Sequence, residues 1–321
     1  MLKKILFAVS LVLVLLLISV PASLSGCRGE VEVKSITESI EVKDSEGETI
    51  KLASPAEKIV VISPSALEIL NGLGAMDKVI EVDNYSVESG DPLAEGFEGA
   101  GDSFGLNVEK ITELDPDLLI AVSGGPDEDY RKVEELGIEI YRVISINGIE
   151  GVYDEITNIG RLTGLEDKGE EIVKELKKSV DGIYNKVKDL SDEDKPEVFY
   201  EVWNDPLRSA GMDTFIGDLI EKAGGINILA QDNITGWPEY SVETLIEKNP
   251  DVIVAPRSLA ADPSVITEDE RFSSITAVKN GRVYVVPDNP VSRPSQNLDI
   301  ALEMLSKAFH PDIFGEFEVI E

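Results

Sequence analysis

The stretch Asn107-Val-Glu-Lys-Ile-Thr-Glu-Leu-Asp-Pro-Asp-Leu-Leu-Ile-Ala121 returns later in the chain as Ser241-Val-Glu-Thr-Leu-Ile-Glu-Lys-Asn-Pro-Asp-Val-Ile-Val-Ala255. The two copies stay in register over fifteen residues, and internal similarity of this kind indicates two related halves. Two copies are too few for a solenoid, in which many units stack on their neighbours. The repeat therefore predicts two similar lobes, an arrangement that commonly encloses a ligand.

Each copy of the repeat predicts a short helix followed by a buried strand. Asn107 and Ser241 are residues favoured at helix N-caps, and a glutamate follows each of them in the first turn. The helices are expected to end at the Asp-Pro or Asn-Pro pair. The apolar runs 118–121 and 252–255 lack polar alternation, as in parallel strands that helices cover on both faces. The predicted fold class is α/β, with two Rossmann-like lobes of mainly parallel sheet and a ligand cleft between them.

A helical connector is predicted between the two halves, because apolar residues recur at helical spacing from Val152 to Leu162 and again from Ile172 to Val187. We expect an N-terminal lobe of residues 36–150, a connector of residues 151–190 and a C-terminal lobe of residues 191–321. A long helical connector resists bending more than a pair of strands would. The sequence therefore predicts only modest closure of the cleft on ligand binding.

The N-terminus has the layout of a secretory signal, in which a basic pair precedes an uncharged apolar run from Ile5 to Val20. This run is too short to favour a membrane span. The segment Leu24-Ser-Gly-Cys27 resembles the lipobox of lipoproteins, in which the cysteine thiol takes a diacylglycerol. We therefore expect a signal peptide at 1–26, lipidation of Cys27, a lipid-anchored tether at 27–35 and a position on the outer face of the cell membrane. The alternative is an uncleaved anchor with an incidental cysteine.

The chain is strongly acidic, with 62 Asp and Glu residues against 29 Lys and Arg residues and a formal net charge of −33. Removal of the signal peptide takes away Lys3 and Lys4 and changes the net charge to −35. Nucleic acid is excluded as a partner class, because phosphate contacts need clustered Lys and Arg. The acidic residues are spread along the chain and not gathered in a tail, which indicates a solvated surface.

Several short segments share their order and spacing with a known group of proteins. They are Asp44-Ser-Glu-Gly-Glu48, Ile59-Val-Val-Ile-Ser-Pro-Ser-Ala-Leu-Glu68, Leu73-Gly-Ala-Met-Asp77, Ala223-Gly-Gly-Ile-Asn227, Gly236-Trp-Pro-Glu-Tyr-Ser241 and the two repeat copies. Together they span nearly the whole mature chain. The pattern resembles that of the periplasmic binding proteins that serve importers of iron chelates and vitamin B12.

This resemblance implies a substrate-binding lipoprotein of an ABC importer that captures an iron chelate (a siderophore or haem) or a corrinoid. It implies delivery of that ligand to an ABC permease and its ATPase subunits, with Glu68 and Glu221 docking onto permease arginines. Both glutamates lie on predicted helices that end at glycine a few residues later, so they occupy similar places in the two halves. The alternative is that both are ordinary solvated helix glutamates.

The predicted ligand cleft lies beyond the carboxyl ends of the parallel strands. Apolar runs at 58–62, 79–82 and 196–203 predict further strands. The rule selects Ser65, Tyr85, Trp203 and Arg257, each of which follows or ends one of the predicted strands. The alternative for Trp203 is that its indole closes the core of the C-terminal lobe. An indole in the cleft would suit a flat macrocycle or an aryl siderophore, since it offers a large apolar face and one hydrogen-bond donor.

Two further cleft residues come from the resemblance. Trp237 lies near a position at which family members place an aromatic residue against a macrocycle, and Arg293 matches a position that often faces the cleft. A guanidinium at Arg257 or Arg293 could pair with carboxylate or catecholate oxygens of an anionic chelate. Surface ion pairing is the alternative for both arginines.

Direct metal binding by side chains is not expected, because His310 is the only histidine and Cys27 the only cysteine. We expect no cofactor, and a ligand whose metal arrives already chelated. No nucleophile elbow, histidine triad or phosphate loop is present, so the protein is not expected to be an enzyme. The alternatives are an extracellular carboxylate-dependent hydrolase and a surface adhesion lipoprotein. The expected protein is a monomer, and its ligand remains open among corrinoid, haem, hydroxamate and catecholate.

Overall fold

A computed structural model describes residues 39–143 and 148–319 of the chain. The predicted signal peptide, Cys27 and the predicted tether lie outside the described residues. The described residues form one compact unit. No helix among them is long and apolar enough to cross a membrane.

The N-terminal lobe is an α/β layer structure. Its strands are β1 (Ile40–Lys43), β2 (Thr49–Leu52), β3 (Ile59–Ile62), β4 (Val79–Val82), β5 (Gly101–Asp102), β6 (Gly105–Leu106), β7 (Leu118–Val122) and β8 (Glu139–Val143). Its helices are α1 (Pro64–Leu73), α2 (Asn84–Glu88), α3 (Val108–Leu114) and α4 (Asp127–Glu135), with short 3₁₀ turns at Met76–Lys78 and Pro92–Ala94. A parallel sheet has the order β4-β3-β7-β8, while β1-β2 and β5-β6 are antiparallel hairpins.

Two helices connect the lobes, α5 (Gly148–Leu162) and α6 (Glu166–Val187). Both are amphipathic, and α5 buries one face that includes Val152, Ile156 and Ile159. The largest buried apolar cluster contains residues of both lobes together with this face of α5. The connector is therefore part of a core that the two lobes share.

The C-terminal lobe repeats the layer arrangement. Its strands are β9 (Glu197–Asn204), β10 (Leu207–Ser209), β11 (Ile226–Asn227), β12 (Val252–Pro256) and β13 (Val283–Val286). Its helices are α7 (Phe215–Lys222), α8 (Val242–Lys248), α9 (Ser264–Thr267), α10 (Thr276–Lys279), α11 (Asp288–Ser292), α12 (Leu298–Phe309) and α13 (Pro311–Phe314), with 3₁₀ turns at Asp192–Asp194, Ala230–Asp232 and Glu270–Phe272. The sheet order is β10-β9-β12-β13, with β10 antiparallel and β11 paired in parallel with β9.

The repeated stretch occupies the same place in both lobes. The helix of each copy, α3 or α8, has its N-cap side chain accepting a backbone N–H: Asn107 accepts from Lys110 at 3.1 Å and Ser241 from Thr244 at 3.0 Å. Each helix ends at a left-handed residue, Asp115 (φ 48°) or Asn249 (φ 50°), a conformation that Asp and Asn tolerate better than most residues. The predicted α/β class with two mainly parallel sheets is confirmed.

The aspartate after each repeat proline joins two strands. Asp117 Oδ2 accepts the backbone N–H groups of Glu57 and Lys58, both at 2.9 Å, just before β3 begins. Asp251 Oδ2 accepts the N–H of Glu197 at 3.0 Å, at the start of β9. Strands β7 and β12 follow these aspartates and pair with β3 and β9. The Pro-Asp pair therefore aligns the central strands of each lobe at their amino ends.

The segment 83–102 is ordered into short elements between β4 and β6. It contains α2, a 3₁₀ turn and strand β5. The Asp83 side chain caps α2 by accepting the N–H of Ser86 at 2.7 Å, and Asp91 caps the 3₁₀ turn by accepting that of Leu93 at 2.9 Å. Side-chain caps at this spacing order a short segment that has no apolar periodicity of its own.

Removal of either repeat cap should destabilise the protein. Asn107→Ala and Ser241→Ala should each lower the free energy of unfolding by about 1 kcal/mol, because each leaves a helix N–H without its side-chain acceptor. Urea denaturation of the mature chain measures the change. Ser274→Ala, at an exposed serine, is the control and should change stability by less than about 0.5 kcal/mol. Cap variants as stable as this control would contradict the assignment of two equivalent capped helices.

Candidate functional site: a cavity between the lobes

A cavity of about 700 Å³ opens between the two lobes. Its volume lies within the range of small-molecule sites, roughly 300–1,000 Å³. Residues from the carboxyl ends of both sheets line it, as expected for ligand sites of open parallel sheets. The lining residues are Ser63, Pro64, Ser65, Tyr85, Val122, Ser123, Gly124, Val143, Glu155, Tyr200, Val202, Ile216, Trp237, Pro256, Ser258, Asp288, Ser292, Arg293 and Pro294.

The N-terminal lobe contributes the turn between β3 and α1. Ser63 is the N-cap of α1, with its hydroxyl accepting the N–H of Ala66 at 3.3 Å, and Pro64 begins the helix with a backbone angle suited to that position. This arrangement leaves Ser65 at the cavity wall. Tyr85, in the first turn of α2, is 55% exposed and also lines the cavity.

The C-terminal lobe contributes alternate residues of β9. Tyr200 and Val202 line the cavity, and because side chains alternate along a strand they share one face. The Tyr200 hydroxyl is buried without a hydrogen-bond partner, and burial raises its pKa. The neighbouring hydroxyl of Ser292, another lining residue, acts on the pKa of Tyr200 in the opposite direction.

Trp237 is held at the cavity by a loop that packs closely on the segment after β10. The N–H of Gly211 donates to the carbonyl of Gly236 at 2.8 Å, and the N–H of Gly236 donates to Asp213 at 2.7 Å. A Cβ atom at Gly211 would lie 2.6 Å from the backbone of Thr235, so the approach requires glycine. The indole packs partly buried against the shared core and presents its remaining surface to the cavity.

Arg293 crosses from the C-terminal lobe to the N-terminal lobe at one end of the cavity. Its Nη1 lies 2.6 Å from Oδ2 of Asp91 and 3.2 Å from Oε1 of Glu68, and its side chain is 11% exposed. Ser295 and Asn297 from the same segment donate to Oε2 of Glu68 at 2.6 and 3.1 Å. We call this group the inter-lobe ion cluster: Glu68, Asp91, Arg293, Ser295 and Asn297.

Burial governs the ionisation of the inter-lobe ion cluster. Loss of solvent raises the pKa of Glu68, while the hydrogen bond from Ser295 and the charge of Arg293 act in the opposite direction. Burial also opposes the charge of Arg293, but Asp91 and Glu68 together raise its pKa. The cluster therefore depends on its cation, because without it two buried carboxyl groups would face each other.

Glu68 is not an ordinary solvated helix glutamate, and its role in docking stays a prediction. Glu68 is 4% exposed, and its carboxylate accepts hydrogen bonds from three side chains of the other lobe. A carboxylate engaged in this way cannot reach a partner protein unless the lobes separate. Glu221 is exposed on α7, and its role in docking stays a prediction.

Two of the predicted ligand-binding residues lie outside the cavity lining. Trp203 is 55% exposed, and its indole N–H donates to the carbonyl of Asp205 at 2.9 Å. It follows Val202 on β9, so strand alternation turns it away from the cavity face. Arg257 is exposed on the loop after β12, while its neighbours Pro256 and Ser258 line the cavity. Neither residue lines the cavity, and the part of both in ligand binding stays a prediction.

The other predicted ligand-binding residues, Ser65, Tyr85, Trp237 and Arg293, do line the cavity. Their part in binding stays a prediction. Arg293 differs from the expectation of a guanidinium open to a ligand, because two carboxylates of the N-terminal lobe already engage it.

Sequence reasoning missed several lining residues, above all Glu155, Tyr200 and Asp288. Tyr200 could have been found, because strand alternation places it on the same face of β9 as Val198 and Val202. Glu155 could not, since it comes from connector helix α5 and is brought to the cavity by the packing of the lobes. The only histidine, His310, is buried at the end of α12 beside the carbonyl of Gly224 at 2.9 Å, and burial lowers its pKa. Among the described residues, no group of His, Cys, Asp and Glu is arranged to hold a metal ion.

The sequence matches a family model described as periplasmic binding protein over residues 59–290. This match spans both sheets and the connector, and covers more than half of the 321-residue chain. The chain belongs to the periplasmic binding protein family. Members of this family are the substrate-binding proteins of transporters, and the family predicted from the sequence is confirmed.

Two named relatives and one solved structure are similar to this chain. An uncharacterized ABC transporter substrate-binding lipoprotein of Bacillus subtilis is 31% identical over 300 residues, 91% of each chain. A cobalamin-binding protein of Halobacterium salinarum is 29% identical over 272 residues, 83% of this chain and 73% of the relative. The crystal structure of a possible iron-binding (periplasmic solute-binding) protein from Staphylococcus epidermidis has a TM-score of 0.65 and 30% identity, covering 79% of this chain and 99% of that one. None of these three is named an enzyme or an adhesin, so neither alternative gains support from them.

Loss of the cation in the inter-lobe ion cluster should destabilise this binding protein strongly. Arg293→Met should lower the free energy of unfolding by about 3–5 kcal/mol, because it leaves Glu68 and Asp91 buried without a counter-charge. Arg208→Met is the matched control, since Arg208 pairs with Glu239 at 2.8 Å on the surface and should contribute about 1 kcal/mol or less. Thermal and urea denaturation of both variants give the comparison. Equal losses would show that the cluster is solvated in solution.

Proposed function

We propose that this protein captures a chelated metal, as an iron siderophore, a haem or a corrinoid, in the cavity between its lobes and delivers it to an ABC permease. The observation that carries the proposal is the cavity itself, which is lined by the indole of Trp237 and by hydroxyl-bearing residues of both lobes. This combination of one aromatic face and several convergent polar groups suits a large, rigid ligand with a hydrogen-bonding periphery.

The relatives support a metal chelate as the ligand. The Halobacterium salinarum protein is named for cobalamin, and the Staphylococcus epidermidis protein is described as possibly iron-binding. In this chain the metal would arrive already chelated, and the protein would need no cofactor of its own. The side chains would then recognise the chelator and not the metal.

The shared core supports limited closure around the ligand. Helix α5 packs in one buried cluster with both lobes, and the inter-lobe ion cluster joins them at the end of the cavity. Wide separation would expose apolar surface and break buried ion pairs. Closure would therefore be a small adjustment of two lobes that already touch.

We further propose that the protein acts as a monomer outside the cytoplasm, anchored through a lipid on Cys27. Proteins of this family work with a permease and its ATPase subunits, and docking would bring the cavity to the permease. Exposed Glu221 on α7 is the candidate docking carboxylate that remains after the burial of Glu68. ATP hydrolysis by the transporter would then release the ligand from the cavity.

Intrinsic fluorescence should report ligand binding through one of the two tryptophans. Titration with dicyanocobinamide, ferrioxamine B and haem should quench emission with at least one of them, and Trp237→Phe should abolish the response. Trp203→Phe is the matched control and should retain it, since Trp203 lies outside the cavity lining. Binding would be verified by calorimetry. Absence of binding by every chelate, or a response that follows Trp203, would contradict the proposed site.

Charge reversal at the docking carboxylate should separate transport from binding. Glu221→Lys should reduce uptake in proteoliposomes that contain the cognate transporter at least about tenfold, while the affinity for the chelate stays unchanged, because Glu221 lies outside the cavity lining. Glu175→Lys changes the net charge equally at an exposed site on α6 and should leave uptake intact. Equal effects of the two variants would contradict docking through Glu221.

A further inference from the structure

The cavity contains donors that suit an anion, but the protein's own carboxylates occupy them. Among the described residues, Arg293 is the only basic residue in the lining, whereas Glu155 and Asp288 both contribute carboxyl groups. The guanidinium of Arg293 is engaged by Asp91 at 2.6 Å and Glu68 at 3.2 Å. Both carboxylates contact Nη1, so a ligand carboxylate at this guanidinium would meet a cation whose charge two buried acids already balance.

The backbone donors at the strand ends show the same pattern. After β7, the N–H of Gly124 donates to Oε1 of Glu46 at 3.3 Å, and the Ser123 hydroxyl donates to the same oxygen at 2.6 Å. After β12, the N–H of Ser258 donates to both oxygens of Asp288, at 3.0 and 3.3 Å. Free amides at such positions are common anion sites in open α/β sheets, but here a carboxylate of the same chain fills each of them.

The N-terminus of α1 offers only a weak opposing charge. A helix N-terminus carries roughly half a positive charge, exposed through its free N–H groups. Pro64 has no N–H, and the N–H of Ala66 donates to the Ser63 hydroxyl. This partial charge is smaller than the full charge of Asp288 in the lining. Glu46 and Asp91 lie outside the lining and pair with Arg142 at 3.4 Å and Arg293 at 2.6 Å. The polar groups left for a ligand are mainly hydroxyls, such as those of Ser65 and Tyr85.

We infer that the site selects metal chelates whose periphery is uncharged or cationic, such as amide-bearing corrinoids or hydroxamates, and rejects chelates that carry several carboxylates or catecholates. Hydroxyl groups can donate to and accept from amides without the cost of burying an unpaired charge. An anionic periphery would meet the carboxyl groups of Glu155 and Asp288 in the wall, and an arginine that Asp91 and Glu68 already engage. This inference rests on the proposed function and narrows its ligand class.

Matched chelates that differ only in peripheral charge provide the test. Dicyanocobinamide is compared with dicyanocobyrinic acid, in which carboxylates replace side-chain amides around the same corrin ring. Ferrioxamine B is compared with its N-succinyl derivative. Calorimetry at low and high salt should show at least about tenfold tighter binding of the uncharged or cationic member in one pair, and a smaller difference at high salt because salt screens the repulsion.

Variants of two carboxylates should relax this preference. Asp288→Asn removes the charge that accepts from the Ser258 N–H while keeping an acceptor, and Asp91→Asn releases Arg293 from its closer partner. Each should increase the affinity for the carboxylate member of the bound pair several-fold more than that for its twin. Glu175→Gln alters net charge equally at an exposed position on α6 and should leave the ratio unchanged.

The outcomes separate this inference from the proposed function. Equal or tighter binding of the carboxylate members overturns the charge selection while leaving the chelate-binding role intact. A preference that persists in Asp288→Asn, in Asp91→Asn and at high salt also overturns the charge selection, since the discrimination would then come from the shape of the ligand. Failure of all four chelates and of haem to bind would reject the proposed function and this inference together.

Discussion

The burial of Arg293 between two carboxylates of the opposite lobe is the interaction on which the arrangement of the cavity depends. Its guanidinium joins Asp91 and Glu68 at 2.6 and 3.2 Å, while Ser295 and Asn297 complete the hydrogen bonding of Glu68. Removal of one buried partner leaves an uncompensated charge, so the cluster holds only when both lobes are in place. The cluster therefore closes one end of the cavity. It also balances the charge of Arg293, the one basic residue in the described lining, with two carboxylates.

The internal duplication explains how such a cavity is built. In each lobe the same three elements precede a buried strand that pairs with the first strand of the sheet. They are a capped helix, a left-handed Asp or Asn, and a Pro-Asp pair. The same device used twice places two sheets with their carboxyl ends toward the cavity. The copies differ in the residues at and after the end of the strand, which are Ser123 and Gly124 in one lobe and Pro256 and Ser258 in the other. The scaffold is thus repeated, and the surface offered to a ligand is not.

Much of the fold could be predicted because apolar runs and caps act locally. Strands β7 and β12 and helices α3 and α8 lie where the repeat predicts them. The candidate site was predicted less well. Trp203 and Arg257 were chosen by their place near a strand end, but alternation turns Trp203 off the cavity face and Arg257 lies exposed. Glu68 has the sequence environment of a solvated helix residue, yet segment 293–297, more than two hundred positions away, covers it.

The sequence by itself determined the fold class, the two related lobes and the family. These depend on apolar periodicity, helix caps and the order of short segments, all of which are local features of the sequence. Only the tertiary structure decided which side chains face the cavity and which charges remain available there. Ion pairs such as Arg293 with Glu68 and Asp91 form between residues that no local pattern relates. Their energies depend on distance and burial, and both quantities exist only once the lobes have packed together.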